Sequence, residues 1–522
     1  MTWPMPPVSY PLADADHAIA IVAALSEWAP VITEDGPALR RTFFDTFDWR
    51  IHEAGGTLEV ERAGWVWRTR DGSVPFGRRT GKPPAFAWDL PEGELRTALG
   101  KVIEMRRLLP RVCVAKRGRV VRVLDDEEKT VVRVAVESGT VNLPGEAEER
   151  DLPGRLTVLP VRGYVSEFRA VTAFLEGRFP LEADNAGDLE TALAAAGRKP
   201  GDYSSKVAVS LTPDLPTADA MRLVHRSLLV TMLRNEEGTR ADTDSEFLHD
   251  FRVSIRRTRS ALTQVKGVFP EAEFLRFKEE FSRLGTATGP VRDLDVWLLK
   301  FDVYRRALPE SAAVHLDALE EFLRAEQRRE QRRLAKVLAS ERYRGLIEDW
   351  RQFLARATPT ENAPPHALRP IRAVASERIH KVFLRVLERG AKITDETPGE
   401  ALHRVRIDGK KLRYLLEFFR GLYDADEIAT LIRALKQLQD VLGDFNDYEV
   451  QQASVKEFAA RMAAAGKAPA ETLMAMGRLT ARLEKGQARE RARFHERFRK
   501  FELNSGKKRV DRIFGGRRGA GS

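Results

Sequence analysis

The spacing of apolar residues changes once along this chain. Up to about residue 210, apolar and polar positions alternate in short runs at 39–47, 57–62, 66–70, 111–115, 120–124, 130–137, 156–160 and 165–168. That is the period of half-buried strands. A helix precedes them at 17–28, and Asp71-Gly72 and Arg117-Gly118 stand where hairpin turns would fall. So many short strands predict an antiparallel β-barrel. The proline-punctuated stretch 211–216 reads as a linker, and Thr217-Ala218-Asp219 can cap the first helix after it. From there on, apolar residues recur at three and four. They predict helices over 217–236, 244–266, 271–286, 291–307, 309–338, 341–355, 367–390, 399–421, 425–442, 445–464 and 468–501. The domains are 1–210, 217–503 (halves 217–357 and 367–503) and a basic, Gly-rich, disordered tail at 504–522.

The helical part repeats itself. HDFRVSIRRTRS at 249–260 and HRVRIDGKKLRY at 403–414 agree from their histidines onward. His249 matches His403, Arg252 matches Arg406, Arg256 and Arg257 match Lys410 and Lys411, and Arg259 matches Arg413. The same offset of 154 residues, the separation of the two histidines, carries residues 291–296 onto 445–450. Repetition at fixed spacing implies two copies of one structural unit, hence an all-α domain of two pseudo-symmetric antiparallel bundles. On a helix, His249, Arg252, Arg256 and Arg259 fall within about 80° of one another, and Arg257 widens that face to about 160°. Phe251, Ile255 and Leu262 take the opposite side, as do Val405, Leu412, Leu416 and Phe419 in the second copy. A lone basic face is usually just solvated. Nothing in solvation requires the same histidine and the same charge offsets twice.

Charge makes that face more telling. Lys and Arg number 87 against 77 Asp and Glu, a net +10, which favours an anionic partner: nucleic acid, anionic membrane or a phosphate polymer. Cys113 is the single cysteine, so no intrachain disulfide and no Cys-based zinc site can form. No 18-residue apolar run and no signal-peptide pattern is present, and the expectation is a cytoplasmic protein without membrane contact.

Two resemblances rest on these residues. Phe43-Phe44-Asp45-Thr46-Phe47-Asp48 followed by Gly55-Gly56-Thr57-Leu58 resembles the CYTH domain of the triphosphate tunnel metalloenzymes. Active members of that family open on a Glu-x-Glu-x-Lys strand that holds the metal. Here Val8-Ser9-Tyr10-Pro11-Leu12-Ala13 stands in that place, and Glu59-Val60-Glu61-Arg62 replaces the family's Arg-x-Arg, with basic alternation only at Arg68 and Arg70. Glu137 and Glu167 remain as candidate strand carboxylates. These departures from the family pattern imply a degenerate barrel that binds an anion or only scaffolds, and they weigh against enzyme activity, with no cofactor and no metal site expected. The helical part resembles the CHAD domain, the conserved-histidine α-helical domain, through the paired histidine motifs, Val-Arg-Asp-Leu-Asp-Val at 291–296 and the segment 438–447.

That second resemblance implies binding of inorganic polyphosphate in a basic channel between two helical repeats, and association with polyphosphate granules. Its expected contacts are His249, Arg252, Arg256, Arg257, Arg259, His403, Arg406, Lys410, Lys411 and Arg413. Arg suits phosphate through bidentate hydrogen bonds and Lys through mobile point charge. The histidines have three readings: phosphate donors, strengthened by protonation; metal ligands, which the lack of nearby Cys or His partners disfavours; or structural residues that cap a helix or bond to Asp293 and Asp447. Arg292-Asp293-Leu294-Asp295 reads as ion pairing that orients the basic helices, with a hydrolytic carboxylate dyad as its rival. Two other functions compete: a metal-dependent triphosphatase or polyphosphatase in the barrel, and nucleic-acid binding, which the scarcity of aromatics on the basic face disfavours. No protein partner is expected.

Overall fold

The computed structural model describes residues 6–61, 64–69, 78–79, 81–184, 186–358 and 360–515. They divide into two compact units, Met1–Ser204 and Ser205–Ser522.

The described residues of the first unit form strands β1 (Val8–Leu12), β2 (Val31–Asp35), β3 (Leu39–Asp45), β4 (Gly56–Glu61), β5 (Gly64–Thr69), β6 (Arg78–Arg79), β7 (Leu109–Leu124), β8 (Thr130–Asn142) and β9 (Arg150–Pro160). Five helices accompany them: α1 (Ala15–Trp28), α2 (Arg50–Glu53), α3 (Glu94–Ile103), α4 (Val165–Arg178) and α5 (Asp188–Ala195). The sheet is antiparallel in the order β1-β9-β8-β7-β3-β4-β5-β6, with β2 also beside β7. Among the described residues β1 and β6 do not pair, so the sheet is open where a closed barrel was expected. The apolar side chains of α1 and α4 pack on β7, β8 and β9, and those of α5 join Phe43, Val112 and Val141.

Three strand-level expectations change. Arg117-Gly118 is no turn: β7 runs straight through it, and a Cβ on Gly118 would collide with Val136 O of β8. The glycine lets two strands approach closely. Residues 165–168 begin α4, because Phe168, Val171 and Leu175 bury one helical face, and this takes Glu167 off the sheet. Strands β1 and β2 were not anticipated. Arg62, Arg70 and the Asp71-Gly72 turn lie outside the described residues.

The second unit is helical: α6 (Thr217–Arg240), α7 (Ser245–Gln264), α8 (Glu271–Ala287), α9 (Gly289–Leu299), α10 (Phe301–Arg306), α11 (Glu310–Ala313), α12 (Asp317–Leu338), α13 (Glu341–Ala355), α14 (Ile371–Ala391), α15 (Gly399–Phe419), α16 (Ala425–Ala464), α17 (Ala470–Ser505) and α18 (Lys507–Phe514). The repeat offset holds in three dimensions. Helices α6 and α14 start 154 residues apart, as do α7 and α15, and α8 and α16. Their leading ends exchange a symmetric pair of hydrogen bonds, Thr217 N to Arg369 O and Ile371 N to Leu215 O, both 2.9 Å. The halves are not separate bundles, since both contribute to each of the two apolar cores.

Helix α16 is continuous where two helices were expected, over 425–442 and 445–464. Pro290 opens α9 in the first copy, where its missing N–H and fixed φ separate it from α8. Its equivalent is Asp444, which lets the ladder run on. Residues 507–514, expected in a disordered tail, form α18, which buries Val510 and Phe514 and sets Phe514 edge-on to Tyr423 at 4.9 Å. Residues 516–522 lie outside the described residues. No described helix is long and apolar enough to cross a membrane.

Candidate functional site: a basic groove on two paired helices

Helix α7 starts where the Asp244 carboxylate accepts from the backbone N–H groups of Glu246 and Phe247, an N-cap that also suits the helix dipole. It buries Phe247, Phe251, Ile255 and Leu262. Its equivalent α15 buries Leu402, Val405, Leu412, Leu416 and Phe419. The two helices pack on each other, which brings the cations opposite these stripes together.

Arg256 is at the centre. Its Nε donates to Tyr414 OH at 2.6 Å, and its charge is felt by Arg252 on its own helix and by Arg406 and Lys410 on α15. Arg252 is anchored at the α8–α9 junction, donating to Gly285 O at 3.1 Å and Thr288 Oγ1 at 2.8 Å. Burial first, then Arg406 and Arg256, pushes the Lys410 ammonium down to about 8. Burial likewise lowers Arg252 and Arg406, with Asp293 and Asp447 opposing the shift. Asp447 is 3.8 Å from Arg406. Among the described residues no carboxylate lies within 4.0 Å of Arg256, Arg259 or Lys410, and the buried Arg406 Nε has no hydrogen-bond partner. Like charges have been gathered and left short of countercharge.

The other predicted residues are placed differently. Arg257 and Arg413 share Glu417, at 2.9 and 2.7 Å, and Arg257 also donates to Ser205 O. Lys411 turns to the buried Asp408 at 3.7 Å, which Arg385 and Arg389 also hold. His403 is exposed, with Nδ1 2.7 Å from Asn446 Oδ1 and not bonded to Asp447. A donating Nδ1–H leaves Nε2 available to a ligand. His249 is half-buried on α7. The equivalent of Asn446 is Arg292, which donates to Ser245 O at 3.2 Å and lies 3.6 Å from Glu246. Asp293 faces Arg252, whereas the buried Asp295 accepts from Gln327 at 3.2 Å and is pushed up to about 7, by burial first and then by Asp242, with Asp293 adding to the rise.

Glu417 was not anticipated, although its i,i+4 spacing from Arg413 was visible. Nor was the row of cations along α17. No group of three or more metal-ligating side chains occurs among the described residues.

The family comparison covers this region. Residues 224–456 match the CHAD domain family model. The helical unit carries a CHAD domain. Two uncharacterized proteins of Mycobacterium tuberculosis, MT2285 of strain CDC 1551 and Rv2226 of strain H37Rv, are each 27% identical over 281 residues, 51% of this chain and 52% of theirs. The chain therefore spans about half the length of the curated relatives it matches. Among solved structures, the CHAD domain from the plant Ricinus communis is 26% identical, covering 57% of this chain and 96% of its own, at a TM-score of 0.48. PptA from Streptomyces chartreusis is 19% identical, covering 54% and 99%, at 0.39. The CHAD match includes all of α7 and α15 and ends before α17.

Proposed function

We propose that the CHAD domain binds inorganic polyphosphate along the groove of α7 and α15, the ligand with which this domain family is associated. The observation that carries the reading is the grouping of Arg252, Arg256, Arg406 and Lys410 with, among the described residues, only Asp293 and Asp447 as countercharge. A polyanion supplies the missing negative charge repeatedly along its length, and its oxygens suit orphaned guanidinium N–H donors. Arg259 and His403 extend the line. Arg257, Arg413 and Lys411 hold their own carboxylates and serve mainly to fix the helices. The protein would associate with polyphosphate or its granules as a binding module.

The N-terminal sheet is read as a degenerate CYTH-like scaffold. Arg41, Lys116 and Arg155 converge there, but on the protein's own Asp188 at 3.0, 2.7 and 3.1 Å. Those three charges are already answered.

The test is polyphosphate affinity of the full chain beside a variant with Arg252, Arg256, Arg406 and Lys410 changed to Ala, with RNA as competitor. Tight wild-type binding, lost in the variant and resistant to RNA, is expected. Equal binding by the variant would remove the groove from consideration. Phosphate release in Mg²⁺ or Mn²⁺ would revive the hydrolase reading.

A further inference from the structure

A cavity of about 570 Å³ opens in the helical unit between the α9–α10 junction, the middle of α16 and α17. Leu479 and Leu483 line its apolar side, while Lys300, Arg482, Lys485 and Arg489 supply cations. The last three stand at i, i+3 and i+7, one face of α17, and span about 10 Å of helix. All are exposed. Among the described residues Arg482 and Lys485 have no carboxylate within 4.0 Å, while Arg489 reaches Glu490 at 3.3 Å and Tyr448 OH at 3.4 Å.

Tyr304 adds an independent sign. It is 5% exposed, lines this cavity, and its buried hydroxyl has no hydrogen-bond partner among the described residues. An unpaired buried hydroxyl carries a desolvation penalty, which a ligand atom in the cavity would relieve. Asp444 and Asp447 also face the space, so four cations stand against two carboxylates and the lining stays net positive. Asp447 is the link to the groove: its carboxylate lies 3.8 Å from Arg406 and 3.9 Å from Lys300.

We propose that this cavity is a second phosphate subsite, entered by the part of a polyphosphate chain that extends past Arg406. The inference rests on the groove reading and adds to it a chain-length preference. Short chains fill the groove alone, whereas long ones also meet Lys300, the cationic edge of α17 and the Tyr304 hydroxyl. Lys300 and Tyr304 lie inside the matched CHAD span and the α17 cations beyond its end.

The experiment titrates the full chain with tripolyphosphate and with a long polyphosphate. It compares wild type, R482A/K485A/R489A, Tyr304→Phe, and a charge-matched control, R328A/R332A/K336A, on the exposed side of α12. The α17 variant is expected to lose about tenfold or more in long-chain affinity while tripolyphosphate affinity stays within twofold, and the control to change both little. Tyr304→Phe should lose about tenfold for the long chain, the worth of one hydrogen bond, while the free protein melts no lower than wild type. Long-chain affinity of the α17 variant within twofold of wild type overturns the cavity and leaves the groove standing. So does a loss equal for both ligands or matched by the control. A wild type that binds neither ligand overturns both readings.

Discussion

Replacing Lys410 by arginine should flatten the pH dependence of polyphosphate affinity. In the free protein, burial and the charges of Arg406 and Arg256 bring Lys410 from 10.5 to about 8. The difference corresponds to about 3 kcal/mol of disfavoured charging, an upper figure because the side chain is only half-buried. A phosphate oxygen beside the ammonium reverses this, so binding takes up a proton wherever Lys410 was neutral. Lys410 is about nine-tenths charged at pH 7 and about one-tenth at pH 9, and long-chain affinity should fall about tenfold between them. Calorimetry in two buffers of different ionisation enthalpy should give uptake of about half a proton at pH 8. A guanidinium stays charged throughout, so K410R should bind without that slope. The ligand-free sign is opposite. A lysine whose folded value lies below its unfolded one destabilises the fold while charged, and stability rises as pH climbs from about 8 towards 10.5. Lys410→Met should therefore melt higher than wild type at pH 7 while binding less. Wild-type affinity that is flat from pH 7 to 9, or a K410R variant with the same slope, would refute the reasoning.

Tyr414→Phe removes the acceptor that orients Arg256 Nε and should lower polyphosphate affinity about tenfold or more, since a hydrogen bond to a charged group is worth about 1.5–3 kcal/mol net. Unchanged affinity would show that Arg256 needs no positioning. His225 is wholly buried, with both ring nitrogens unpartnered, edge-on to Trp350 at 5.1 Å, and burial pushes it down to about 3. Its folded value lies below the unfolded one of about 6.5, so the unfolded chain binds the extra proton and stability falls as pH drops below about 6.5, by up to about 1.4 kcal/mol per unit. Denaturant midpoints at pH 7 and pH 5 should show His225→Leu losing less than wild type; parallel losses would clear His225 of the effect.

The helical half was largely legible because a 3.6-residue period and a 154-residue repeat reinforce each other. Its main departure was legible too, in one residue: proline at 290 and aspartate at 444 decide whether a helix breaks or continues. The sheet was harder to read. Gly118 serves equally well in a turn and in a close strand crossing, and only β8 alongside decides between them. A four-residue run such as 165–168 fits a strand until the next helical turn, with Val171 and Leu175, is counted. In the groove, the grouping of cations followed from the helix period, but their countercharges did not. Glu417 lies beyond the repeated motif, and it takes up Arg257 and Arg413, leaving Arg256, Arg259 and Lys410 with no carboxylate within 4.0 Å among the described residues.

The twofold exchange at Thr217 and Ile371 bears on a property that the proposed ligand has and nucleic acids lack. A linear phosphate chain reads the same from either end, whereas a nucleotide strand has a direction. Two helices related by a twofold offer a directionless chain the same donors in the same order whichever end arrives first, Arg252 matched by Arg406 and Arg256 by Lys410. Two equivalent arrivals are worth only about 0.4 kcal/mol as a statistical factor, but the chain can reverse without any donor being lost. A strand with polarity would meet one helix head-on and the other backwards. Tyr414 and Glu417, which face no counterpart at Ser260 and Thr263, are then where this binding surface has a front and a back.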